Sequence, residues 1–542
     1  MLDKLFKPQS VALIGASDRP GSFGCDAAKS LIKSQEKLRF YFINQRKSEI
    51  FGIRTYPLLA ELPEVPELVL IATPASTVNG LIRDAAQRGV HDFIVYSSGF
   101  AEDHRCNGEQ MERELEALAG EYGLRIVGPN CCGIFNNSDG LSLWGSTGNY
   151  QLGRERGTAV LGHSGGYTMG GMDRPWVGIT YGISGGNGGI VSQEELAEYC
   201  VDDPETKLLC MYMEGIKKPE VVYRLFKKCI DRKVPCVVLK SGRSRKGAIS
   251  ASSHTGNLAG SYESFRAVFD KYGVLSPDGV EEYYGLESVL DTLKGNLPRS
   301  NRFAIVCRSG GEATMSADLA ERHGLFLPDI TPETQSRINA MMPDFGTAKN
   351  PLDMTAGLLG DPVKLSATLN LLAEDPNIDA MIVAFDFAEL DLDLGYDMNT
   401  FLGNPVLECA AKHPDVPIFV MPQYEQKRNL DWRMKLRAAG VPILPPAEIG
   451  YKLIGTLIRF MEYDPSTHRL EWAVPDRYPE NAKPMSEYDS KRELSCAGIP
   501  VPEQTVVRST EELRDACRAF GYPLVLKINS PDILHKTEAG GV

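Results

Sequence analysis

One imidazole, His254, lies in a run of hydroxyls and glycines, Ser252-Ser-His-Thr-Gly-Asn-Leu-Ala-Gly260. It follows the polar loop Lys240-Ser-Gly-Arg-Ser-Arg-Lys-Gly247, which in turn follows the buried-strand pattern Val234-Pro-Cys-Val-Val-Leu-Lys240. An imidazole nitrogen can accept a phosphoryl group, and glycine beside hydroxyl lets main-chain N–H groups approach phosphate oxygens. A second residue with chemical reach, Glu214, ends the apolar run Leu208-Leu-Cys-Met-Tyr-Met-Glu. A carboxylate at a strand's C-terminal end can hold an imidazole by its distal N–H and leave the other nitrogen to attack phosphorus. A surface glutamate at a strand end is the plain alternative.

Further segments have the spacing of ligand loops. The strand pattern at Val11 runs into Gly15-Ala-Ser-Asp-Arg-Pro-Gly-Ser-Phe-Gly24, a glycine turn of irregular spacing. Later strand ends carry small and polar residues, at Ala72-Thr-Pro-Ala-Ser76, Tyr96-Ser-Ser-Gly-Phe-Ala-Glu102 and Val127-Gly-Pro-Asn130. In a doubly wound sheet such ends line one crevice. Leu161-Gly-His-Ser-Gly-Gly166 reads as a strand entering a helix N-terminus. There His163 is either a second imidazole near a phosphate or a neighbour of an ordinary N-cap serine. Arg308-Ser-Gly-Gly-Glu312 has the same form, and Asn350-Pro-Leu-Asp353 follows it. Arg308 is suited to grip a substrate carboxylate in bidentate fashion and equally suited to pair with Glu312.

The elements that must carry these loops alternate. Strands are expected at Ser10–Ile14, Phe40–Ile43, Leu68–Ala72, Asp92–Tyr96 and Arg125–Val127, with helices such as Val78–Arg88 and Gln110–Tyr122 between them. A second unit has strands at Thr158–Leu161, Gly178–Ile183, Leu208–Met213 and Val234–Lys240. Pro235 places the start of the last at Cys236. A third has Arg302–Arg308, Ala380–Phe385, Pro417–Met421 and Pro442–Leu444. Strand–helix alternation at this spacing predicts parallel sheets covered on both faces. Prolines 465, 475 and 479 mark a linker, and a fourth unit starts at Met485.

Taken in order, these segments resemble the nucleoside-diphosphate-forming acyl-CoA synthetases, the ADP-forming acetate–CoA ligase family of the succinyl-CoA synthetase superfamily. The resemblance implies an α/β multidomain chain: a Rossmann-like CoA-binding domain over 1–150, a flavodoxin-like domain with a phosphohistidine loop over 151–298, and a second flavodoxin-like ligase domain over 299–463. A linker over 464–484 and the start of an ATP-grasp domain over 485–542 complete it. It implies that His254 carries phosphate and Glu214 contacts it. CoA would be bound by Gly15, Ser17, Arg19, Gly24, Arg46, Pro74, Gly99, Glu102 and Asn130, and phosphate by Ser164, Gly165, Gly166, Thr255 and Gly256. Lys527, at the end of a strand, Lys536, Gly540 and Gly541 would hold nucleotide. The sequence departs from the family at Gly162-His163, where Ser-Gln is usual, and at Arg308 and Glu312, where Asn and Pro are usual. Asn44-Gln-Arg-Lys47 lacks the usual proline, which shifts the basic contact to Arg46. The Gly-Asn turn Ser184-Gly-Gly-Asn-Gly-Gly189 lacks the usual acid.

The implied reaction joins a small carboxylate to CoA at the expense of ATP through phosphohistidine and acyl phosphate, with Mg²⁺ neutralising the triphosphate. Its alternatives are a protein lysine acetyltransferase or acyl-CoA-binding regulator on a synthetase-like module, and a CoA-dependent lyase. The 542 residues, 43% hydrophobic and 24% charged, suit several globular domains, and a net charge of −13 argues against nucleic-acid or anionic-membrane partners. Twelve cysteines without a C-x-x-C pair suggest reduced thiols, no metal site and a cytoplasmic enzyme. A homodimer is expected. With only a glycine turn after the last helix, the chain reads as the N-terminal portion of one of roughly 700 residues.

Overall fold

The structure is a computed structural model that describes residues 2–542 apart from 104–106, 149, 248–261, 345, 390–396, 426, 428, 469, 471–483, 534–535 and 537–539. The chain divides into two units, Met1–Leu470 and Glu471–Val542.

Three sheets form the first unit. The first comprises β1 (Ser10–Ile14), β2 (Arg39–Ile43), β3 (Glu49–Ile50), β4 (Ile53–Tyr56), β5 (Leu68–Ile71), β6 (Asp92–Val95) and β7 (Arg125–Val127), in the order β3-β4-β2-β1-β5-β6-β7. All pairs are parallel except β3 with β4. Every residue of β1, β5 and β6 is buried, as a strand covered on both faces requires, which is why these runs lack alternation. Because β1 lies between β2 and β5, the chain reverses its winding direction there, and a crevice opens beyond the ends of β1 and β5.

The second sheet contains β8 (Gly133–Asn136), β9 (Leu141–Trp144), β10 (Thr158–Gly162), β11 (Ile179–Ser184), β12 (Leu208–Met213) and β13 (Cys236–Lys240), ordered β13-β12-β10-β11-β8-β9. The last strand begins at Cys236, after Pro235, as expected. The β8–β9 hairpin lies within the span 1–150 yet pairs with β11 through antiparallel bonds, so hydrogen bonding assigns it to the second sheet. The third sheet, β15-β14-β16-β17, is built from β14 (Phe303–Cys307), β15 (Leu352–Asp353), β16 (Ala380–Val383) and β17 (Ile418–Val420), all parallel. Pro442–Leu444, expected as a strand, makes only a single bridge, Val420 with Ile443.

In the second unit, helices Glu487–Cys496 and Thr510–Phe520 form as amphipathic stretches, each with a serine N-cap. The strand expected to end at Lys527 is not present among the described residues. The segment belongs to no assigned strand; the Ile528 N–H donates to the Gly541 oxygen at 2.8 Å, and Val525 and Leu526 are 72% and 58% exposed. A single short apolar segment without neighbouring strands among the described residues does not build a sheet.

Candidate active site

The first crevice collects the expected loop residues. Gly15 follows β1 with φ +88, and a Cβ there would lie 2.6 Å from the Ala72 carbonyl oxygen at the end of β5. A Cβ on Gly24, in the first turn of the helix Phe23–Lys33, would lie 2.1 Å from the Gly15 oxygen. The two glycines therefore let strand end, helix N-terminus and neighbouring loop meet at main-chain distance. The Ser17 hydroxyl accepts the Arg19 N–H at 3.0 Å, and Arg19 itself is exposed. Asn44 braces the turn from the next strand by donating to the Ala16 oxygen at 2.8 Å and accepting the Arg46 and Lys47 N–H groups. Arg46 is exposed, whereas Lys47 pairs with Asp18 inside the glycine loop at 2.6 Å. Pro74 is the N-cap of the helix Ala75–Ala86.

Farther along the crevice, Glu102 does structural work. One carboxylate oxygen accepts the Gly99 N–H at 2.6 Å and the Phe100 N–H at 3.3 Å, while the other accepts from Asn187 at 2.8 Å. Asn130, with φ +59 after β7, donates to Asn187 at 3.4 Å. Thus the loops after β1, β5, β6 and β7 line one edge, and Asn187 in the Gly-Asn turn after β11 reaches into it.

The second cluster sits at the C-terminal ends of β10, β12 and β13. Ser164 is the N-cap of the helix Gly165–Met172 and makes no side-chain cap bond, so it leaves the first-turn N–H groups to another acceptor. A Cβ on Gly165 would lie 2.4 Å from the Cys132 sulfur, which explains the glycine. Gly166 follows it in the first helical turn. Glu214, directly after β12, is buried. Its N–H donates to Nδ1 of His163 at 3.3 Å. His163 is buried, and burial, assisted by Lys217 and Lys240 nearby, pulls its pKa down to about 4, so the ring is neutral at pH 7. Lys240, only 2% exposed, ends β13 and donates Nζ to the Glu214 carbonyl oxygen at 2.9 Å and also to that of Ser241. Its ammonium lies 4.6 Å from the Phe265 ring, and burial lowers its pKa to about 8. His254, Thr255 and Gly256 lie outside the described residues.

Sequence reasoning missed Lys240 as a site residue, although a lysine closing a wholly apolar strand was visible. It also missed Glu112. This acid shares the buried face of the helix Gly108–Tyr122 with Leu115, Leu118 and Ala119, and an acid on an apolar stripe was its signal.

At the third sheet the two roles open to Arg308 separate. Its guanidinium donates to Glu312 at 2.7 Å and pairs with Asp386 at 2.5 Å. Two carboxylates of the chain occupy the fork that a substrate carboxylate would need. Asn350 braces this end, accepting the Ile305 N–H and donating to the Phe303 and Pro328 oxygens. In the second unit, Lys527 and Lys536 converge on Glu487 at 3.1 and 3.0 Å. Gly540 has φ +64, and the Gly541 N–H donates to the Lys536 oxygen at 2.7 Å, which closes the glycine turn. A cavity of about 650 Å³ opens at the opposite, N-terminal edge of the second sheet, against Gly157, Leu208 and Cys236, and none of the expected site residues among the described residues lines it.

Residues 9–137 match the CoA binding domain, 155–290 the succinyl-CoA ligase like flavodoxin domain, 303–400 the ligase-CoA domain and 478–542 the ATP-grasp domain. An ADP-forming acetate–CoA ligase from Archaeoglobus fulgidus is 30% identical over all of this chain and 77% of its own length. A trans-feruloyl-CoA synthase from an unknown prokaryotic organism is likewise 30% identical, over all of this chain and 76% of its own. A crystal structure from Pyrococcus horikoshii superposes with a TM-score of 0.68 at 26% identity, covering 85% of this chain and 99% of that one. Sequence, fold and the order of the loops agree, and the chain belongs to the ADP-forming acetate–CoA ligase family of the succinyl-CoA synthetase superfamily, whose members join a carboxylic acid to CoA.

Proposed function

We propose that the enzyme carries phosphate on His254 and that the cluster around Ser164, Glu214 and Lys240 is where the phosphoryl group meets carboxylate and CoA. The observation that carries this reading is the placement of a buried carboxylate, Glu214, directly after β12, the strand beside β10, whose end leads into the Ser164–Gly166 helix N-terminus. In the first step a nitrogen of His254 attacks the γ-phosphorus of ATP, a P–N bond forms, and ADP departs. A carboxylate oxygen of the acid then takes the phosphoryl group, which frees the imidazole and gives an acyl phosphate. The thiolate of CoA attacks the acyl carbon, the C–O bond to phosphate breaks, and thioester and inorganic phosphate leave. Splitting one displacement into three gives each a good leaving group. Ser164, Gly165 and Gly166, with Thr255 and Gly256, supply donors for the phosphoryl oxygens.

CoA lies along the first crevice, its phosphates at Gly15, Ser17 and Gly24 with Arg19 and Arg46 near the mouth, and its path passing Pro74, Gly99 and Asn130. Glu102 shapes that path by holding its loop. Lys527, Lys536, Gly540 and Gly541 bind nucleotide phosphate. Mg²⁺ belongs to the reading as the companion of the triphosphate, whose charge it neutralises. The acid is a small-molecule carboxylate, the enzyme a cytoplasmic homodimer, with light scattering the test of the latter. No helix among the described residues is long and apolar enough to cross a membrane. The decisive experiment is incubation with γ-labelled MgATP. An acid-labile, base-stable label absent from His254→Ala supports the reading, and label persisting in that variant ends it.

A further inference from the structure

Asn187 stands between the two halves of this site, and every polar atom of its side chain is used. Its Nδ2 donates to Glu102 at 2.8 Å and to Glu112 at 2.9 Å, both acids coming from the CoA-binding side. Its Oδ1 accepts from Asn130 at 3.4 Å, and its main-chain N–H donates to the Pro129 oxygen at 3.0 Å. The turn that carries it is equally tied to the phosphate side, since the Gly185 N–H donates to the oxygen of Gly162, next to His163. A Cβ on the preceding residue, Gly186, would lie 2.1 Å from the Pro129 oxygen, so the turn is seated directly on the Pro129–Asn130 main chain. On the other side, Glu112 is buried, and the oxygen that takes the Asn187 amide also accepts the Ala101 N–H at 2.9 Å.

We propose that Asn187, gripped by Glu102 and Glu112, is a positioning latch that aligns the CoA crevice with the phosphate loop, so that the thiol reaches the acyl phosphate. Each acid holds its own crevice loop, Glu102 through Gly99 and Phe100 and Glu112 through Ala101, and the single amide couples both loops to the turn after β11. An amide is the one side chain of this size that offers two donors to two carboxylates and an acceptor to Asn130. An acid in its place would set a third negative charge against two. The inference rests on the crevice being the CoA site.

The test compares Asn187→Ala, Asn187→Asp and Glu112→Gln in the enzyme, measuring the CoA dissociation constant, the rate of phosphohistidine formation from MgATP, and kcat for acyl-CoA synthesis. Removing the bridge from the phosphate side leaves the crevice loops their own bonds. Asn187→Ala is therefore expected to lower kcat about tenfold or more, as loss of charge-assisted bonds implies, with CoA affinity and phosphohistidine formation within about threefold of wild type. Asn187→Asp is expected to be worse than alanine. Glu112→Gln keeps an acceptor oxygen for both N–H groups but loses the charge, and is expected to lose less kcat than Glu112→Ala. The proposal is overturned if Asn187→Ala leaves kcat unchanged, if all three quantities fall together, or if aspartate outperforms alanine. Should the alanine variant not fold, a Glu112→Gln enzyme as impaired as Glu112→Ala refutes the latch, and recovery in the glutamine variant alone supports it. Failure of the crevice reading has a separate signature, unchanged CoA affinity in a folded Gly15→Val enzyme.

Discussion

The main-chain N–H of Glu214 donates to Nδ1 of His163 at 3.3 Å, which makes that nitrogen the acceptor and leaves the ring proton on Nε2. The residue that replaces the family's glutamine is therefore a fixed, neutral donor rather than a cation. The glutamine it replaces has an amide that can play both parts, accepting the same N–H and donating beyond it.

This tautomer has a pH signature. The folded-state pKa of His163, held down to about 4, lies below the ordinary 6.5. The unfolded chain therefore binds the extra proton first, and stability is lost as pH falls from about 6.5 toward 4. Relative to wild type, His163→Gln is expected to lose less stability across that window and to match it near pH 7, measured by denaturant midpoints. Nitrogen-detected NMR should show Nε2 protonated between pH 5 and 8. A ring titrating near 6.5 would sink the assignment.

Glu214→Gln is nearly isosteric and keeps the main-chain bond to His163, so the fold and the second imidazole are preserved. If the carboxylate orients and charges His254, phosphohistidine formation should slow by about 100-fold or more. Rapid-quench measurement of the label answers this, and an unchanged rate would reduce Glu214 to a strand-end residue.

Much of this arrangement was legible in the residues, for identifiable reasons. Strands such as Ser10–Ile14 and Leu208–Met213 are covered on both faces, so an unbroken apolar run marks them, and small or polar residues mark their ends. The hairpin Gly133–Asn136 and Leu141–Trp144 is equally buried, but its strands are short and follow the Cys131-Cys132 loop without a helix between. Only the Asn137-Ser-Asp-Gly140 turn advertised it. Arg308 could not be settled by spacing, because its second partner, Asp386, follows the C-terminal end of β16 and is brought close by the parallel pairing of β14 with β16. The latch at Asn187 is hidden for the same reason, since its two acids lie 85 and 75 residues away in sequence.

Gly15→Val tests the crevice. A side chain there meets the Ala72 oxygen at 2.6 Å and must also adopt φ +88, a region closed to valine. The loop has to move, and CoA affinity by calorimetry is expected to fall at least about tenfold in a variant that remains folded by circular dichroism. Wild-type affinity would place CoA elsewhere.

The lysines proposed to hold nucleotide supply the last test. Glu487 accepts from Lys491 at 2.7 Å, Lys536 at 3.0 Å and Lys527 at 3.1 Å, and these bonds, Lys491 first, lower its pKa to about 2. Exposed pairs of this kind contribute little stability and weaken with salt. A triphosphate carries more charge than one carboxylate and can take Lys527 and Lys536 from it. Glu487 then acts as a competitor that holds both lysines close together. Lys527→Met is expected to raise the KM for ATP about tenfold or more, while Glu487→Gln, by freeing both lysines, is expected to lower it roughly two- to threefold at low ionic strength and to lose that advantage near 0.5 M salt. An ATP KM unchanged in Lys527→Met would remove this lysine from the nucleotide site. A KM raised in Glu487→Gln would mean that the carboxylate arranges the lysines for the phosphates instead of competing with them.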